Sequence, residues 1–549
     1  MAQSDVRGGG RRRDAGGLAQ DERPGTEAAA AEGDGDGGGP DRPRGRRRGG
    51  GRRILRWSAL VLSVLILGTA GAGYLYYRHL NANIDKGKRN AGDSDVSRTE
   101  PNAAGQTPLN ILLIGSDSRN SAENVKLGGS RDNVGSKPLA DVQMLLHVSA
   151  DRESAAVVSI PRDTRVDIPK CTDPDTGETY PAKNTIINES LQRGGPGCTL
   201  ATWQELTGVY IDHWMMVDFA GVVDMADAIG GVPVCVNQNV WDRPLSGQRG
   251  GSGLKLTAGT HNVRGKQALQ WLRTRHAWGS DPLRAKAQHM YMNAMIRTLK
   301  DQNVFTDTGR LMGLAEAGTK ALKVSEEIGT VKELYDLGMQ LKSVPTSRIT
   351  MTTMPWIEDP LDRNHLLPKP ADADKMWAML RDDVSFDKGG KAAAGAGPSP
   401  ASVRATGPAA APAEGLSVTV VNGTAGEQGA AVPNRAAAIV AALQQEGFVR
   451  AVASGQQDPR NRTQVTYPES TGAQGRANAL SVAEAVGIPS SRVRATDGVT
   501  TTLTIGSDWR EGTTYPEQEP VKAGDLPDSA DALTADKKEC MDVYRPYRW

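Results

Sequence analysis

Short, nearly all-apolar runs alternate with longer segments of helical periodicity between residues 109 and 354. The run Leu109–Gly115 is almost wholly apolar and ends in glycine, which is typical of a strand buried on both faces. Further strands are predicted at Val142–Val148, Ala155–Ile160, Trp214–Phe219, Val232–Val236 and Arg348–Met354. Helices are predicted at Thr199–Thr207, Phe219–Ile229, Gly265–Leu272, Pro282–Lys300, Thr308–Lys323 and Val331–Leu341. Strands interleaved with helices predict a layered α/β/α domain with a central mixed sheet.

A second, shorter pattern of the same kind begins at Leu416. Its predicted elements are strand Ser417–Val421, helix Gln428–Glu446, strands Val449–Ala453 and Thr463–Tyr467, helix Ala473–Val486 and strand Thr501–Ile505. This order predicts a small α/β domain of the form βαββαβ. The segment Lys388–Glu414, rich in Ala, Gly and Pro, is typical of a linker between the two domains.

An uncharged apolar segment runs from Trp57 to Tyr77, and its 21 residues would span about 30 Å as a helix. A basic cluster stands before it: Arg42, Arg44, Arg46, Arg47, Arg48, Arg52, Arg53 and Arg56. Positive flanks stay cytoplasmic, so we predict a single-pass cell-membrane protein with its N-terminus inside and the residues from about 80 onward outside. A cleaved signal peptide is the alternative for this segment.

These patterns divide the chain into seven parts. We predict a disordered basic cytoplasmic segment (1–56), a transmembrane helix (57–77), a tether (78–106), the first domain (107–386), a linker (387–414), the second domain (415–510) and a flexible tail (511–549). The N-terminal arginines could contact RNA or lipid headgroups, but no aromatic residue is interleaved to stack bases, which favours a topology signal. The net charge of +1 also argues against a nucleic-acid partner.

The chain has four cysteines and no CxxC spacing, and disulfides are permitted outside the cytoplasm. We therefore expect structural bridges rather than metal or redox chemistry. Cys171–Cys198 is the first candidate, and the pairing of Cys235 with Cys540 stays open.

Acidic and arginine residues recur where the predicted strands of the first domain begin or end. They are Asp117 and Arg119 after the first strand, Asp141 beside the second, and Arg162 and Asp163 after the third. Ligands of α/β sheets bind just beyond strand ends, so these loops are candidates for one site.

A second cluster of cationic and polar residues follows later in the chain. Arg273 and Arg275 lie after a helix, and Arg284 and Gln288 are four residues apart on one face of the next. Several arginines with two carboxylates suit a diphosphate, with a carboxylate-bound divalent cation neutralising the remaining charge. The alternative is a set of surface ion pairs.

Several motifs together resemble the LytR-CpsA-Psr family over about residues 107 to 386. They are Ile114-Gly-Ser-Asp-Ser-Arg119, Ser159-Ile-Pro-Arg-Asp-Thr164, Gly230-Gly-Val232, Ala268-Leu-Gln-Trp-Leu-Arg-Thr-Arg275, Asn188 before Gly194-Gly195-Pro196, and Leu206-Thr-Gly-Val-Tyr-Ile-Asp-His213. Residues 416 to 509 resemble the LytR C-terminal domain, through Val421-Asn-Gly-Thr424, Val465-Thr-Tyr-Pro468 and Gly506-Ser-Asp-Trp509.

The resemblance implies a phosphotransferase that moves a glycopolymer, such as a teichoic acid, from polyprenyl diphosphate to peptidoglycan with the help of Mg²⁺ (or Mn²⁺). Carried onto this chain, Asp117 and Asp141 are the metal-linked carboxylates. The implied diphosphate ligands are Arg162, Arg273, Arg275, Arg284 and Gln288. Arg119 and Asp163 match the catalytic motifs, and it stays open whether Asp117, Asp163 or neither accepts the acceptor's proton.

The donor lipid would also need an apolar slot, for which the candidates are Met215, Val217, Phe219, Val222 and Ile229. The alternative is that these five residues belong to the ordinary hydrophobic core beneath the sheet.

Three positions depart from the family pattern: Leu139 and Ala287 stand where arginine is usual, and Ile186 or Ile187 where lysine is usual. Arg131 or Lys137 could replace the arginine lost at Leu139. The arginine lost at Leu139 favours one alternative function, a non-catalytic wall-polymer-binding or regulatory membrane protein. A second alternative is a polyprenyl diphosphate hydrolase, which would use the same cation and arginines but let water attack.

Overall fold

The computed structural model describes residues 50–549 except 95, 97, 100, 103, 117–136, 248–249, 302–306, 390–407, 426–428, 461, 497 and 517–519. The chain divides into two compact units between Ala70 and Gly71. The helices of the described residues are α1 Gly50–Asn83, α2 Gly195–Thr207, α3 Phe219–Ala228, α4 Gly265–Arg273, α5 Asp281–Asp301, α6 Thr308–Ala321, α7 Val331–Ser343, α8 Pro370–Arg381, α9 Arg435–Gln445 and α10 Gly472–Ala485.

The strands of the described residues fall into three groups along the chain. The first group is β1 Asp85–Gly87, β2 Leu109–Ser116, β3 Ala140–Val148, β4 Ala155–Ser159, β5 Arg165–Ile168, β6 Cys171–Thr172, β7 Thr179–Tyr180, β8 Lys183–Ile186 and β9 His213–Val217. The second is β10 Val232–Val236, β11 Val240–Trp241, β12 Lys255–Leu256, β13 Gly259–Val263, β14 Leu322–Ser325, β15 Ile349–Thr353, β16 Trp356–Glu358 and β17 Leu366–Pro368. The third is β18 Ser417–Asn422, β19 Arg450–Gln457, β20 Gln464–Pro468, β21 Val493–Thr496, β22 Thr501–Ile505 and β23 Leu533–Thr534.

Within the described residues, one helix is long and apolar enough to cross a membrane, the stretch Leu55–Asn83 of α1. Apolar side chains such as Leu62 and Leu67 are exposed along it. The helix continues past Tyr77, where the predicted segment ends, and Leu80 is buried. This helix fits a single-pass membrane anchor.

The described part of the second unit is built on an eight-stranded mixed sheet with the order β1-β14-β9-β2-β3-β4-β15-β23. β2 pairs antiparallel with β3 and parallel with β9, while β4 pairs antiparallel with β3 and parallel with β15. The sheet confirms the predicted mixed α/β architecture.

Both faces of this sheet are covered by apolar cores. Leu112 and Leu145 point into a core that includes Trp203 of α2 and Trp377 of α8. Ile111, the neighbour of Leu112, points into a second core with Leu337 of α7. Because successive strand residues face opposite sides, the nearly unbroken apolar runs are explained by burial on both faces.

Two element boundaries differ from the predictions for a local reason. The strand predicted to reach Phe219 ends at Val217, because the Asp218 carboxylate accepts a hydrogen bond from the Gly221 amide at 3.0 Å and caps α3. The helix predicted to reach Lys323 ends at Ala321, since Leu322–Ser325 pairs with β9 as a sheet strand. Pairing in the sheet outweighs the helical pattern there.

The C-terminal domain has a mixed sheet with the described strand order β19-β18-β22-β20-β21. Its element order is βαββαββ, because the short strand β21 precedes β22 and was not predicted. The domain contacts the first one: Arg494 Nη1 lies 2.8 Å from Glu205 Oε2, and Arg462 contacts the Asp374 carboxylate of α8.

The C-terminal tail, which we predicted to be flexible from residue 511 to 549, packs against the first domain. β23 pairs antiparallel with β15 at the edge of the central sheet. Tyr547 is buried, and the Trp549 indole nitrogen donates to the Val240 carbonyl at 3.0 Å. The polar composition of the tail concealed these contacts, since each depends on a partner far away in sequence.

The four cysteines form two disulfides. Cys171 is bonded to Cys198, as predicted, and Cys235 is bonded to Cys540 of the tail. The second bridge links residues 305 positions apart and joins the tail to β10.

The double variant Cys235→Ser/Cys540→Ser is expected to lose about 2–5 kcal/mol of stability, because a bridge across a long loop restricts the unfolded chain. Thermal unfolding of the variant beside the wild type checks this. Reducing the wild type should bring its melting temperature toward that of the variant, and equal melting temperatures for oxidised wild type and variant would contradict the prediction.

Candidate active site

A cleft at one end of the central sheet brings together four of the residues predicted for the site. Asp141, Arg162, Arg284 and Gln288 line it, together with the backbone and side chains of neighbouring residues such as Ser159. They come from β3, from the turn after β4 and from the first two turns of α5. The cleft therefore joins both clusters recognised in the sequence.

An ion pair between Asp141 and Arg162 lines this cleft. Arg162 Nη1 donates a hydrogen bond to Asp141 Oδ1 at 2.9 Å, and Arg162 Nε lies 3.5 Å from Asp163 Oδ1. All three side chains are about one quarter exposed, at 22–27%. Ligand oxygens can therefore reach this guanidinium, which is already oriented by two carboxylates.

The backbone around Arg162 is fixed by neighbouring elements. The Ile160 amide donates to the Gln143 carbonyl at 3.2 Å, and the Thr164 amide donates to the Pro161 carbonyl at 3.0 Å, which closes a turn around Arg162. The Arg162 carbonyl in turn accepts a hydrogen bond from the Asn188 amide at 3.3 Å. This turn holds Arg162 beside Asp141 before any ligand binds.

Arg284 and Gln288 lie one helical turn apart on α5, and both are mostly buried, with 8% and 7% exposure. Gln288 Nε2 donates to the Leu272 carbonyl at 3.1 Å, and Trp271 Nε1 donates to the Ala287 carbonyl at 3.0 Å. These bonds tie the end of α4 to the cleft wall.

Arg273 and Arg275 come one and three residues after Leu272, whose carbonyl accepts the hydrogen bond from Gln288. Arg273 is half-buried and ends α4, while Arg275 is exposed. The loop after Arg275 is held by the tail, because the Tyr544 amide donates to the Ala277 carbonyl at 2.8 Å. Neither arginine is among the residues that line the cleft, and their contact with a ligand stays a prediction.

The sequence and the fold of this chain are similar to those of known proteins. Residues 74–382, more than half of the chain, match the model of the LytR_cpsA_psr family. The chain belongs to the LytR-CpsA-Psr family. Residues 415–509 match a second model, described as LytR cell envelope-related transcriptional attenuator.

Two relatives and one solved structure illustrate the similarity. The cell wall biosynthesis protein LcpA of Corynebacterium glutamicum is 29% identical over 56% of this chain and 60% of its own length. The polyisoprenyl-teichoic acid–peptidoglycan teichoic acid transferase TagT of Bacillus subtilis is 26% identical over 56% of this chain and 89% of its own. A structure described as a LytR-Csp2A-Psr enzyme from Actinomyces oris matches with a TM-score of 0.40 and 16% identity, covering 54% of this chain and 95% of that one.

Some residues of the LytR-CpsA-Psr motifs lie outside the described residues. Asp117, Arg119 and Arg131 belong to the segment 117–136. Lys137, considered as a replacement for the arginine lost at Leu139, is described: its Nζ lies 3.1 Å from Glu178 Oε2 and also contacts the Tyr180 hydroxyl. Lys137 thus contacts the hairpin formed by β6 and β7.

The structure also describes the surroundings of Ala287 and Ile186, the other two departures from the LytR-CpsA-Psr pattern. Ala287 is fully buried in the core that includes Trp271, so an arginine there would need a different packing. Ile186 ends β8, where it pairs with Arg165. Neither residue lines the Asp141 cleft.

The five candidates for a lipid slot do not share one described surface. Met215 packs against the core beside Ile111, while Ile229 is buried in the separate core around Trp271. Val217 and Val222 are half-buried, and the side chain of Phe219 lies outside the described atoms. The placements of Met215 and Ile229 agree with the alternative of ordinary core.

Six cleft-lining residues were not assigned a site role from the sequence: Val142, Gln143, Ser159, Ile160, Pro161 and Ala285. Trp203 Nε1 donates to Gln143 Oε1 at 2.7 Å, and the Ser159 hydroxyl lies 3.1 Å from Thr353 Oγ1. Each of them lies within three residues of Asp141, Arg162 or Arg284 along the chain, which was the available signal. A single sequence gives no further reason to choose such neutral residues.

The cleft offers few ligands of its own for a divalent cation. Among the described residues no group of three or more His, Cys, Asp or Glu side chains could hold a metal. Mg²⁺, however, is commonly bound by one or two carboxylates together with substrate phosphates. Asp141, a partly exposed carboxylate facing the cleft, suits that arrangement.

Proposed function

We propose that this protein transfers a glycopolymer from a polyprenyl diphosphate carrier to peptidoglycan. The observation that supports this most directly is the cleft of a LytR-CpsA-Psr member in which Asp141, Arg162, Arg284 and Gln288 converge from three separate elements. The names of two relatives, a cell wall biosynthesis protein and a teichoic acid transferase, agree with the proposal. The match spans less than two thirds of the LcpA chain, at 60%.

The proposed reaction is displacement at the phosphorus atom attached to the glycopolymer. A hydroxyl oxygen of the peptidoglycan acceptor forms a bond to that phosphorus, the bond to the bridging oxygen breaks, and polyprenyl phosphate leaves. The hydroxyl proton passes to a base. Such reactions depend mainly on positioning and on neutralising charge at the phosphoryl oxygens.

The described side chains supply both requirements. Arg162 offers a guanidinium held in place by Asp141 and Asp163, and Arg284 offers a second one from a mostly buried position. Guanidinium groups hold diphosphate oxygens in bidentate fashion, and they do so more strongly when solvent is limited. Gln288 supplies an amide on the same face as Arg284.

Mg²⁺ (or Mn²⁺) would be held by Asp141 together with Asp117, and it would neutralise diphosphate charge. Arg162 would keep its contact with Asp141 and thereby orient that carboxylate toward the cleft. Because the carrier lipid lies in the bilayer, the anchor α1 would keep the cleft near its substrate, with the basic N-terminus inside and the cleft outside.

Turnover of a labelled polyprenyl diphosphate glycopolymer by the detergent-solubilised full chain tests the proposed function. With Mg²⁺ and peptidoglycan, we expect label to become covalently attached to the peptidoglycan. Release of free polymer at the same rate without acceptor would indicate a hydrolase instead. Bound donor without turnover would indicate a binding or regulatory protein.

The variant Asp141→Asn is expected to need a higher Mg²⁺ concentration for half-maximal transfer, by about tenfold, since one anionic oxygen ligand is lost. Transfer rates across a Mg²⁺ titration measure this shift. Asp336→Asn, an exposed carboxylate paired with Lys332 on α7, is the matched control and should follow the wild-type curve. An unchanged Mg²⁺ requirement in Asp141→Asn would exclude this carboxylate as a ligand.

A further inference from the structure

A second cavity, of about 90 Å³, lies between α5, the end of β15 and the C-terminal tail. Its walls include Lys286 and His289 of α5, Thr353, Trp356 and the tail residue Asp531. A water needs roughly 10–15 Å³ of such space, so the cavity holds about six to nine waters, or a compound the size of one sugar ring. Several linked sugar rings or an isoprenoid chain would not fit inside it, so only one ring of a longer glycan could enter.

His289 lines this cavity with an unsatisfied nitrogen. The residue is 2% exposed, and its Nε2 has no hydrogen-bond partner among the described residues. Burial lowers the pKa of His289 to about 4, although Asp531 acts in the opposite direction. The imidazole is therefore neutral near pH 7 and offers hydrogen bonding without charge. A buried polar atom without a partner is costly, which is a sign that a ligand or water completes the site.

The charges around the cavity compensate one another. Lys286 Nζ lies 3.0 Å from Asp531 Oδ2 and 3.8 Å from Glu539 Oε2. With this cation paired and His289 neutral, the walls present donors and acceptors without a net positive charge. Trp356 adds an aromatic surface beside them. Five of the ten lining residues are apolar, so the walls are mixed in character. They suit a sugar ring, which has polar edges and apolar faces, better than an anion, which would meet Asp531, or a pure hydrocarbon, which would leave the polar groups unsatisfied.

The cavity and the Asp141 cleft are neighbours. α5 contributes Arg284 and Gln288 to the cleft and Lys286 and His289 to the cavity. The two spaces are also joined across the sheet end, because Ser159 of the cleft and Thr353 of the cavity share a hydrogen bond of 3.1 Å. A ring bound in the cavity would thus lie close to a phosphoryl group bound in the cleft.

We propose that this cavity is the subsite for a saccharide ring of the acceptor glycan, with His289 Nε2 and Asp531 binding its hydroxyl or amide groups and Trp356 contacting its ring. The proposal rests on the proposed transferase function. It gives the tail a role, since Asp531 forms one wall and is held there by Lys286 and by the hydrogen bond from Arg297 to the Lys537 carbonyl at 3.0 Å. The tail thereby completes the site for the acceptor.

Isothermal titration of the solubilised full chain with a soluble tetramer of β-1,4-linked N-acetylglucosamine, without donor, tests this subsite. We expect the wild type to bind the tetramer and His289→Leu to bind it at least tenfold more weakly, because the leucine keeps the volume but has no hydrogen-bonding nitrogen. His289→Gln, which retains an amide, should recover part of the binding. Thermal unfolding shows whether each variant is folded.

Thr353→Val and Thr350→Val form a matched pair on β15. Neighbouring strand residues face opposite sides, so Thr353 lines the cavity while Thr350 faces the other core. We expect weaker tetramer binding in Thr353→Val and wild-type binding in Thr350→Val. No binding by the wild type, or equal binding by folded wild type and His289→Leu, would overturn the proposal. Retained His289-dependent binding without any transfer to peptidoglycan would instead refute the proposed function alone.

Discussion

Arg162→Ala is expected to lower the rate of glycopolymer transfer by about 10²–10³-fold while the protein stays folded. The guanidinium is oriented by Asp141 at 2.9 Å and by Asp163 at 3.5 Å, so it is prepared for the charge that develops on the phosphoryl oxygens. Loss of one such preorganised donor costs roughly 2.7–4 kcal/mol of transition-state stabilisation. Because Asp141 also loses its partner, the Mg²⁺ dependence should change in the same variant.

Initial rates of transfer, together with circular dichroism and thermal unfolding, measure this effect. Arg450→Ala removes an exposed arginine of the C-terminal domain and is the control that should transfer at the wild-type rate. Arg275→Ala should also lose transfer if its side chain reaches the diphosphate. Undiminished transfer by folded Arg162→Ala and Arg275→Ala together would defeat the site assignment.

Asp374→Ala is expected to have the largest effect on stability, at about 3–5 kcal/mol. The Asp374 carboxylate contacts Arg462 and lies 3.5 Å from Arg492, and both arginines come from the C-terminal domain. Burial and the nearby Arg462 lower the pKa of Arg381 to about 10, whereas Asp374 acts in the opposite direction. Without Asp374, crowded positive charges would remain at the interface between the domains.

Urea unfolding of the solubilised protein, followed by tryptophan fluorescence, measures the loss. Asp336→Ala removes a surface carboxylate that is 51% exposed and should cost below about 1 kcal/mol. In Asp374→Ala the C-terminal domain should dissociate from the first domain before either one unfolds. A single transition at the wild-type midpoint would contradict the interface described for Asp374.

The parts of the fold that depend on local sequence were predictable. The strands from Leu109 and Val142 are long apolar runs, and Arg284 and Gln288 of α5 keep their helical spacing whatever they pack against. Asp141 and Arg162 could be assigned to one site because the ends of neighbouring strands meet at the same edge of a sheet. The hydrogen bond between them could not be predicted, since it depends on how the turn after Pro161 closes.

The parts that were missed depend on contacts between distant residues. β23 has two residues and no apolar periodicity, and it becomes a strand only because β15 offers an unpaired edge. Lys286 and Asp531 are far apart in the chain, so the cavity between them left no sequence pattern. The docking of the C-terminal domain through Arg462 and Asp374 was hidden for the same reason.

The central claim, that the cleft between β3, β4 and α5 binds a diphosphate, is tested most directly by a crystal structure of the protein with Mg²⁺ and a non-hydrolysable polyprenyl diphosphate analogue. We expect the two phosphate groups between the guanidinium groups of Arg162 and Arg284, with Asp141 next to the cation. Well-defined density for the diphosphate on another surface, with this cleft unchanged, would contradict the account.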